Sequence, residues 1–231
     1  MELTNRQKEV LTSVIQEYSK EGKPVASLDL AQEYDFSDSP ATIRAEMSFL
    51  EKEGFLEKPH TSAGRVPTEK GYRFYVKELM KRKELGEGDK RKIKVRVNEI
   101  KKEDDFHQEL AEVLSNFSNS LVMVGQEEEN HLYFSGLDEL LETMDREMFY
   151  SVAHFLEETE RDMDDLVEYS NNEPNIFIGQ DHPLLKGAKC GLIISRYRRG
   201  GDNGVVALLG PDRMDYERNL SLIQYINKIL Q

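Results

Sequence analysis

The sequence predicts an α+β chain in two domains, on three observations. Helical stripes and capping signals crowd residues 1–83, with one short hairpin pattern among them. From residue 93 onward, apolar β runs alternate with longer amphipathic stripes. Residues 84–92 lie between, a charge-dense stretch holding Gly86, Gly88 and one apolar side chain, Leu85. The expected organisation is a first domain at 1–83, a linker at 84–92 and a second domain at 93–231.

Composition narrows the function classes. Of 231 residues, 38% are hydrophobic, with 10 Tyr and 10 Phe, enough for two cores and too many for disorder. No apolar run approaches the ~18 residues of a membrane span. The first residues are polar, so no signal peptide is expected. A single Cys excludes a disulfide framework and points to a reducing cytoplasm. The net charge of -13 at first argues against a nucleic-acid partner. Its distribution argues otherwise: residues 1–83 balance to zero, and the whole deficit falls in 84–231. Within the first part, Lys58, Arg65, Lys70, Arg73, Lys77, Lys81, Arg82 and Lys83 outnumber the acids of residues 55–83.

Val10, Leu11, Val14, Ile15 and Tyr18 form the stripe of a first helix. Thr4 and Gln7 make a capping box before it, and Gly22 with Pro24 ends it. A second, short helix starts at Ser27 as cap, with Leu30, Ala31 and Tyr34 inward. Ser39 caps a third helix with Pro40 at its first position, and Gly54 stops it. In that helix Ile43, Met47 and Leu50 must face the core. The opposite face carries Ala41, Ala45, Ser48 and Lys52, flanked by Thr42 and Arg44. Small exposed residues permit close approach to another surface, and their methyls, hydroxyls and guanidinium suit a major groove.

Residues 55–58 read as a strand, 59–64 as a tight connection and 65–67 as the returning strand. Thr68 then caps a last helix with Tyr72, Tyr75, Val76 and Leu79 on its apolar side. Three helices followed by a basic hairpin make a winged helix-turn-helix. Its expected DNA-facing residues are Ser39, Ala41, Thr42, Arg44, Ala45, Ser48 and Lys52 on the third helix. On the wing they are Lys58, His60, Thr61, Ser62 and Arg65. The alternative, a ligand-sensing or protein-interaction module, is motivated by the zero net charge of residues 1–83.

Ser39-Pro-Ala-Thr-Ile-Arg44 and Pro59-His-Thr-Ser-Ala-Gly-Arg-Val-Pro-Thr-Glu-Lys-Gly-Tyr-Arg73 resemble the heat-inducible transcription repressor HrcA family. Gly210-Pro-Asp-Arg-Met-Asp-Tyr216 resembles the same family's closing signature. The resemblance implies a homodimeric repressor binding an inverted-repeat operator of double-stranded DNA ahead of chaperone genes. It also implies responsiveness to the chaperonin and a GAF-like α/β sensor and dimerisation domain after the winged helix. That domain is a reduced one: Val124-Gly-Gln-Glu-Glu-Glu-Asn-His131 stands where the family has more sheet and an inserted dimerisation domain.

The second domain, on its own residues, begins with a long amphipathic pattern over 93–119. Strands are expected at 121–124 and 131–134. A helix near 145–158 should bury Met148, Phe149, Val152 and Phe155, and an acidic one should reach Tyr169. Strands at 175–178, 191–198 and 204–209 follow, the last two joined by a hairpin turn at 199–203. The final helix, 215–230, is apolar nearly all round and needs two partners: the sheet, and either the 93–119 region or another subunit. No catalytic set, metal site or cofactor motif is legible, and no enzyme is expected. The five His are scattered, Cys190 precedes an apolar strand, and Asp162-Met-Asp-Asp165 reads as a solvated helix face.

Overall fold

The computed structural model describes residues 2–34, 36, 39–59, 64–81, 83–100, 106–126, 131–141, 144, 146–161, 163–182, 185 and 189–231. At 139, 147, 160, 161 and 165 it describes the backbone alone. The chain divides into two compact units, Met1–Lys81 and Arg82–Gln231.

The first unit opens with α1 (Asn5–Glu21), α2 (Ser27–Glu33) and α3 (Pro40–Lys52). Thr4 Oγ1 accepts from Gln7 N at 3.3 Å and Gln7 Oε1 from Thr4 N at 3.0 Å, so the expected capping box closes α1. Gly22, at φ 65°, ends it in the left-handed region. For α2 the cap is not Ser27, which is buried inside the helix; Ala26 N instead donates to Asp29 Oδ2 at 3.3 Å. The acid reaches back to a backbone N–H that Ser27, one residue into the helix, cannot serve. Tyr34 Oη donates to Glu17 Oε2 at 3.2 Å, tying the end of α2 to α1. Burial pushes the Tyr34 phenol up, and Tyr34 with Glu17 holds Lys20 charged.

The hairpin is β1 (Leu56–Glu57) paired antiparallel with β2 (Val66–Pro67). An isolated bridge joins Val25 to Arg65 and widens it, a pairing the sequence pattern did not show. Then α4 (Glu69–Phe74) runs into a π turn at Tyr75–Leu79. The unit's core is Leu11, Val14, Ile15, Leu30, Ile43, Met47, Leu50, Leu56 and Tyr72, all at most 2% exposed.

The second unit starts earlier than the composition suggests. Residues 87–92, read as linker, form the first half of α5 (Glu87–Glu99). Glu87 and Asp89 favour its N-terminus through the helix dipole, and Ile93 and Val97 bury its stripe. Lys90 pairs with Glu84 at 2.6 Å and Glu87 at 2.9 Å, which raises its affinity for the proton and lowers the Glu84 carboxyl. The single long stripe over 93–119 resolves into α5 and α6 (Phe106–Ser118).

β3 (Leu121–Gln126), β4 (His131–Ser135), β5 (Asn175–Ile178), β6 (Cys190–Arg199) and β7 (Asp202–Pro211) form an antiparallel sheet, five strands among the described residues, in the order β4-β3-β7-β6-β5. Gln126 pairs directly with His131, so the β3–β4 connection spans 127–130, outside the described residues. Gly200 and Gly201, at φ 61° and 106°, turn β6 into β7 in two residues.

The pleat sends alternate rows to opposite faces. Leu121–Leu209–Leu192 and Met123–Ala207–Ile194 line one face. There they share a core with α7 (Leu137–Leu141), α8 (Arg146–Arg161) and α9 (Asp164–Tyr169), through Leu140, Met148, Val152, Phe155 and Leu166. Phe149 is a correction: it is 45% exposed, because the inward stripe of α8 runs 148, 152, 155 and places 149 about 100° away. Cys190 is buried in this core.

Val122–Leu208–Ile193 and Val124–Val206–Ser195 line the other face, against α6 and α10 (Tyr216–Leu230). Asp215 caps α10, accepting from Arg218 N at 3.0 Å. Asn227 Nδ2 donates to Ser195 Oγ at 2.8 Å, fixing the helix on the sheet. The second partner of α10 is within the chain. Tyr225 Oη donates to the Lys90 carbonyl at 3.0 Å, Ser221 Oγ to that of Lys83, and α10 packs on α6.

Phe155→Ala removes a fully buried ring between α8 and the sheet. It is expected to lower stability by about 3–5 kcal/mol, read from the urea-unfolding midpoint.

Candidate nucleic-acid interface

Helix α3 is built to present one face. Ser39 Oγ accepts from Thr42 N at 3.3 Å and Pro40 sits where its missing N–H is harmless. Ile43, Met47 and Leu50 are at most 1% exposed. Ser39, Ala41, Thr42, Arg44, Ala45, Ser48 and Lys52 are all exposed; Ala41, Arg44, Ala45, Ser48 and Lys52 fall within about 100° of one another across the helix, with Thr42 on the flank and Ser39 at the cap. Gln7 Nε2 donates to Glu46 Oε2 at 3.2 Å, linking α1 to the side of the helix.

Not every one of these side chains is uncommitted. Ser48 Oγ donates to the Arg44 carbonyl at 2.9 Å, and Ser39 Oγ and Thr42 Oγ1 lie 3.2 Å apart, sharing a proton. The Arg44 guanidinium has no partner among the described residues, and its donors point into solvent. It is the strongest hydrogen-bonding group on the face.

On the wing, Lys58 is exposed at the end of β1. His60, Thr61 and Ser62 lie outside the described residues. Arg65 is placed differently from the others: its side chain is 12% exposed and its guanidinium lies against Glu51 of α3. Nothing in spacing signalled that pair, because a cation fourteen residues after an acid has no fixed relation to it until the hairpin closes.

The rest of the long motif at 59–73 secures the end of α3. Thr68 Oγ1 donates to the Gly54 carbonyl at 2.7 Å and accepts from Gly71 N at 3.1 Å. Thr68 N donates to the Phe55 carbonyl at 3.1 Å. Lys70 Nζ donates to the Glu53 carbonyl at 2.6 Å and lies 4.4 Å over the Phe55 ring. Gly71 meets the Phe55 backbone so closely that a Cβ would overlap its carbonyl oxygen, and Gly64 stands in the same relation to Val25. Two motif glycines therefore mark close backbone approaches rather than turns.

Among the described residues no group of three or more His, Cys, Asp or Glu could hold a metal ion, and no helix is long and apolar enough to cross a membrane. Asp162 and the Asp165 side chain lie outside the described residues. What the first unit offers chemically is a convex strip with donors, methyls and one free guanidinium, suited to binding.

Gly71→Ala tests the close approach. Alanine gains roughly 1 kcal/mol over glycine in a helix, so any loss isolates the overlap with Phe55. A net destabilisation of about 1–3 kcal/mol is expected from chemical denaturation.

Comparison with known proteins matches two family models to the chain, overlapping over residues 70–81. A family model described as "Winged helix-turn-helix transcription repressor, HrcA DNA-binding" matches residues 2–81, and one described as "HrcA protein C terminal domain" matches 70–220. The heat-inducible transcription repressor HrcA of Pelotomaculum thermopropionicum is 42% identical over 126 residues, 54% of this chain and 36% of that protein. That of Natranaerobius thermophilus is 55% identical over 82 residues, 36% of this chain and 24% of that protein. The matched segment thus spans between 24% and 36% of these curated relatives. A crystal structure of a hypothetical protein shares the fold at a TM-score of 0.80 and 20% identity, covering 99% of this chain and 98% of that one. The chain belongs to the HrcA family.

Proposed function

We propose that this protein is a cytoplasmic, sequence-specific DNA-binding repressor of heat-shock chaperone genes, acting as a homodimer on an inverted-repeat operator. The observation that carries this reading is the exposed face of α3, with Arg44 uncommitted among the described residues. Ala41, Ala45 and Thr42 allow the helix to lie deep in a major groove. Arg44 supplies a bidentate donor for a guanine edge, and Lys52 and Lys58 meet phosphates to either side. Ser39, Ser48, His60, Thr61 and Ser62 complete the proposed contact set.

The name of the relatives supports heat-responsive control, and family membership suggests a chaperonin as a further partner. An inverted repeat requires two α3 helices spaced by about one or more helical turns of DNA, hence two copies of the chain. The excess of acid beyond residue 84 is consistent with a regulatory half that repels DNA and leaves the first unit as the route in.

Selection of bound duplexes from a random-sequence library by the full chain tests the reading, with an enriched inverted repeat expected. On that duplex Arg44→Ala should cost about 1–3 kcal/mol and relax preference at one base position. Lys58→Ala should weaken enriched and scrambled duplexes alike and reduce the salt slope by about one. Absence of an enriched sequence, with both variants binding like wild type, contradicts the reading.

A further inference from the structure

Arg65 belongs to the wing by position, where a cation ordinarily meets a phosphate. Its guanidinium is turned inward instead. Nε donates to Glu51 Oε2 at 2.9 Å, Nη2 lies 2.9 Å from the same oxygen, and Nη2 also reaches Ser48 Oγ at 3.5 Å. The backbone of Arg65 is pinned as well: its N donates to the Val25 carbonyl at 2.8 Å and its carbonyl accepts from Val25 N at 2.9 Å. Glu51 sits in the last turn of α3, and Ser48 is hydrogen-bonded to the turn that carries Arg44. One side chain therefore joins the base of the wing to the exposed helix, with its charge cancelled by the carboxylate it grips.

We propose that the Arg65–Glu51 pair is a positioning strut that sets the angle and depth at which α3 enters DNA, and that Arg65 makes no phosphate contact. The proposal rests on the DNA-binding reading above. It makes a prediction opposite in sign to simple electrostatics. A carboxylate beside a DNA-binding helix repels phosphates, so its removal alone should tighten binding to any duplex. If Glu51 acts by holding α3, its removal should instead weaken binding to the preferred duplex and spare binding to a scrambled one.

The test uses the full chain as wild type, Glu51→Gln, Arg65→Gln and the double variant. The probes are the duplex that wild type enriches from a random-sequence library and a scrambled duplex of equal length. Each single variant is expected to lose roughly tenfold on the enriched duplex, and the double variant no more than either single, as coupled partners require. The scrambled duplex should bind within about twofold of wild type, with the salt slope unchanged, since no phosphate contact is lost. Far-UV circular dichroism confirms folding. Should a glutamine variant unfold, Glu51→Asp keeps the charge but shortens the reach, and must show the same selective loss. Tighter binding by Glu51→Gln, or a salt slope reduced by about one in Arg65→Gln, overturns the strut and returns Arg65 to the phosphate backbone. Failure of wild type to enrich any sequence removes the DNA reading and the strut with it, so the two failures are distinguishable.

Discussion

The first unit depends on one close approach, the N-terminus of α4 against the turn that follows α3. Gly71 lets the helix backbone rest on the Phe55 carbonyl, and Thr68 and Lys70 then reach the Gly54 and Glu53 carbonyls. Glu53 is the C-cap of α3 and Gly54 follows it, so both bonds tie carbonyls at the end of that helix. The same contact sets where β1 begins, hence where the wing leaves the helix. The exposed strip of α3 is thus held at both ends, by Ser39 at the start and by the α4 clasp at the finish.

The second unit solves a different problem. The central strands β3, β7 and β6 of its antiparallel sheet are buried on both faces over most of their length, which explains why they read as continuous apolar runs rather than as alternating ones. Each face needs a cover of helices, supplied by α7, α8 and α9 on one side and by α6 and α10 on the other. Helix α10 lies between the sheet on one side and Lys83, Lys90 and α6 on the other, so much of its apolar surface is covered within one chain.

Local rules made much of this legible from sequence. The Thr4–Gln7 box, the Ser39-Pro40 start, the Gly22 stop, the Gly200-Gly201 hairpin and the Asp215 cap each depend on residues within a few positions of one another. The strip on α3 followed from helical periodicity alone. What escaped were relations fixed only by closure of the fold. The Val25–Arg65 bridge joins segments forty residues apart, and the Arg65–Glu51 pair exists only once the wing has folded back. The start of α5 escaped for another reason: charge density mimics a linker, and Ile93 and Val97 define the helix only through what covers them. Phe149 was misplaced because an apolar residue beside a buried stripe cannot be told from one within it.

The proposed DNA interface is the convex face of α3. Its most direct measurement is an amide NMR titration of the full chain with a duplex selected by the protein itself. Shifts are expected to concentrate at Ala41, Thr42, Arg44, Ala45, Ser48, Lys52 and Lys58, with the amides of β3, β6 and β7 unmoved. Shifts concentrated in the second unit, with α3 silent, would contradict it.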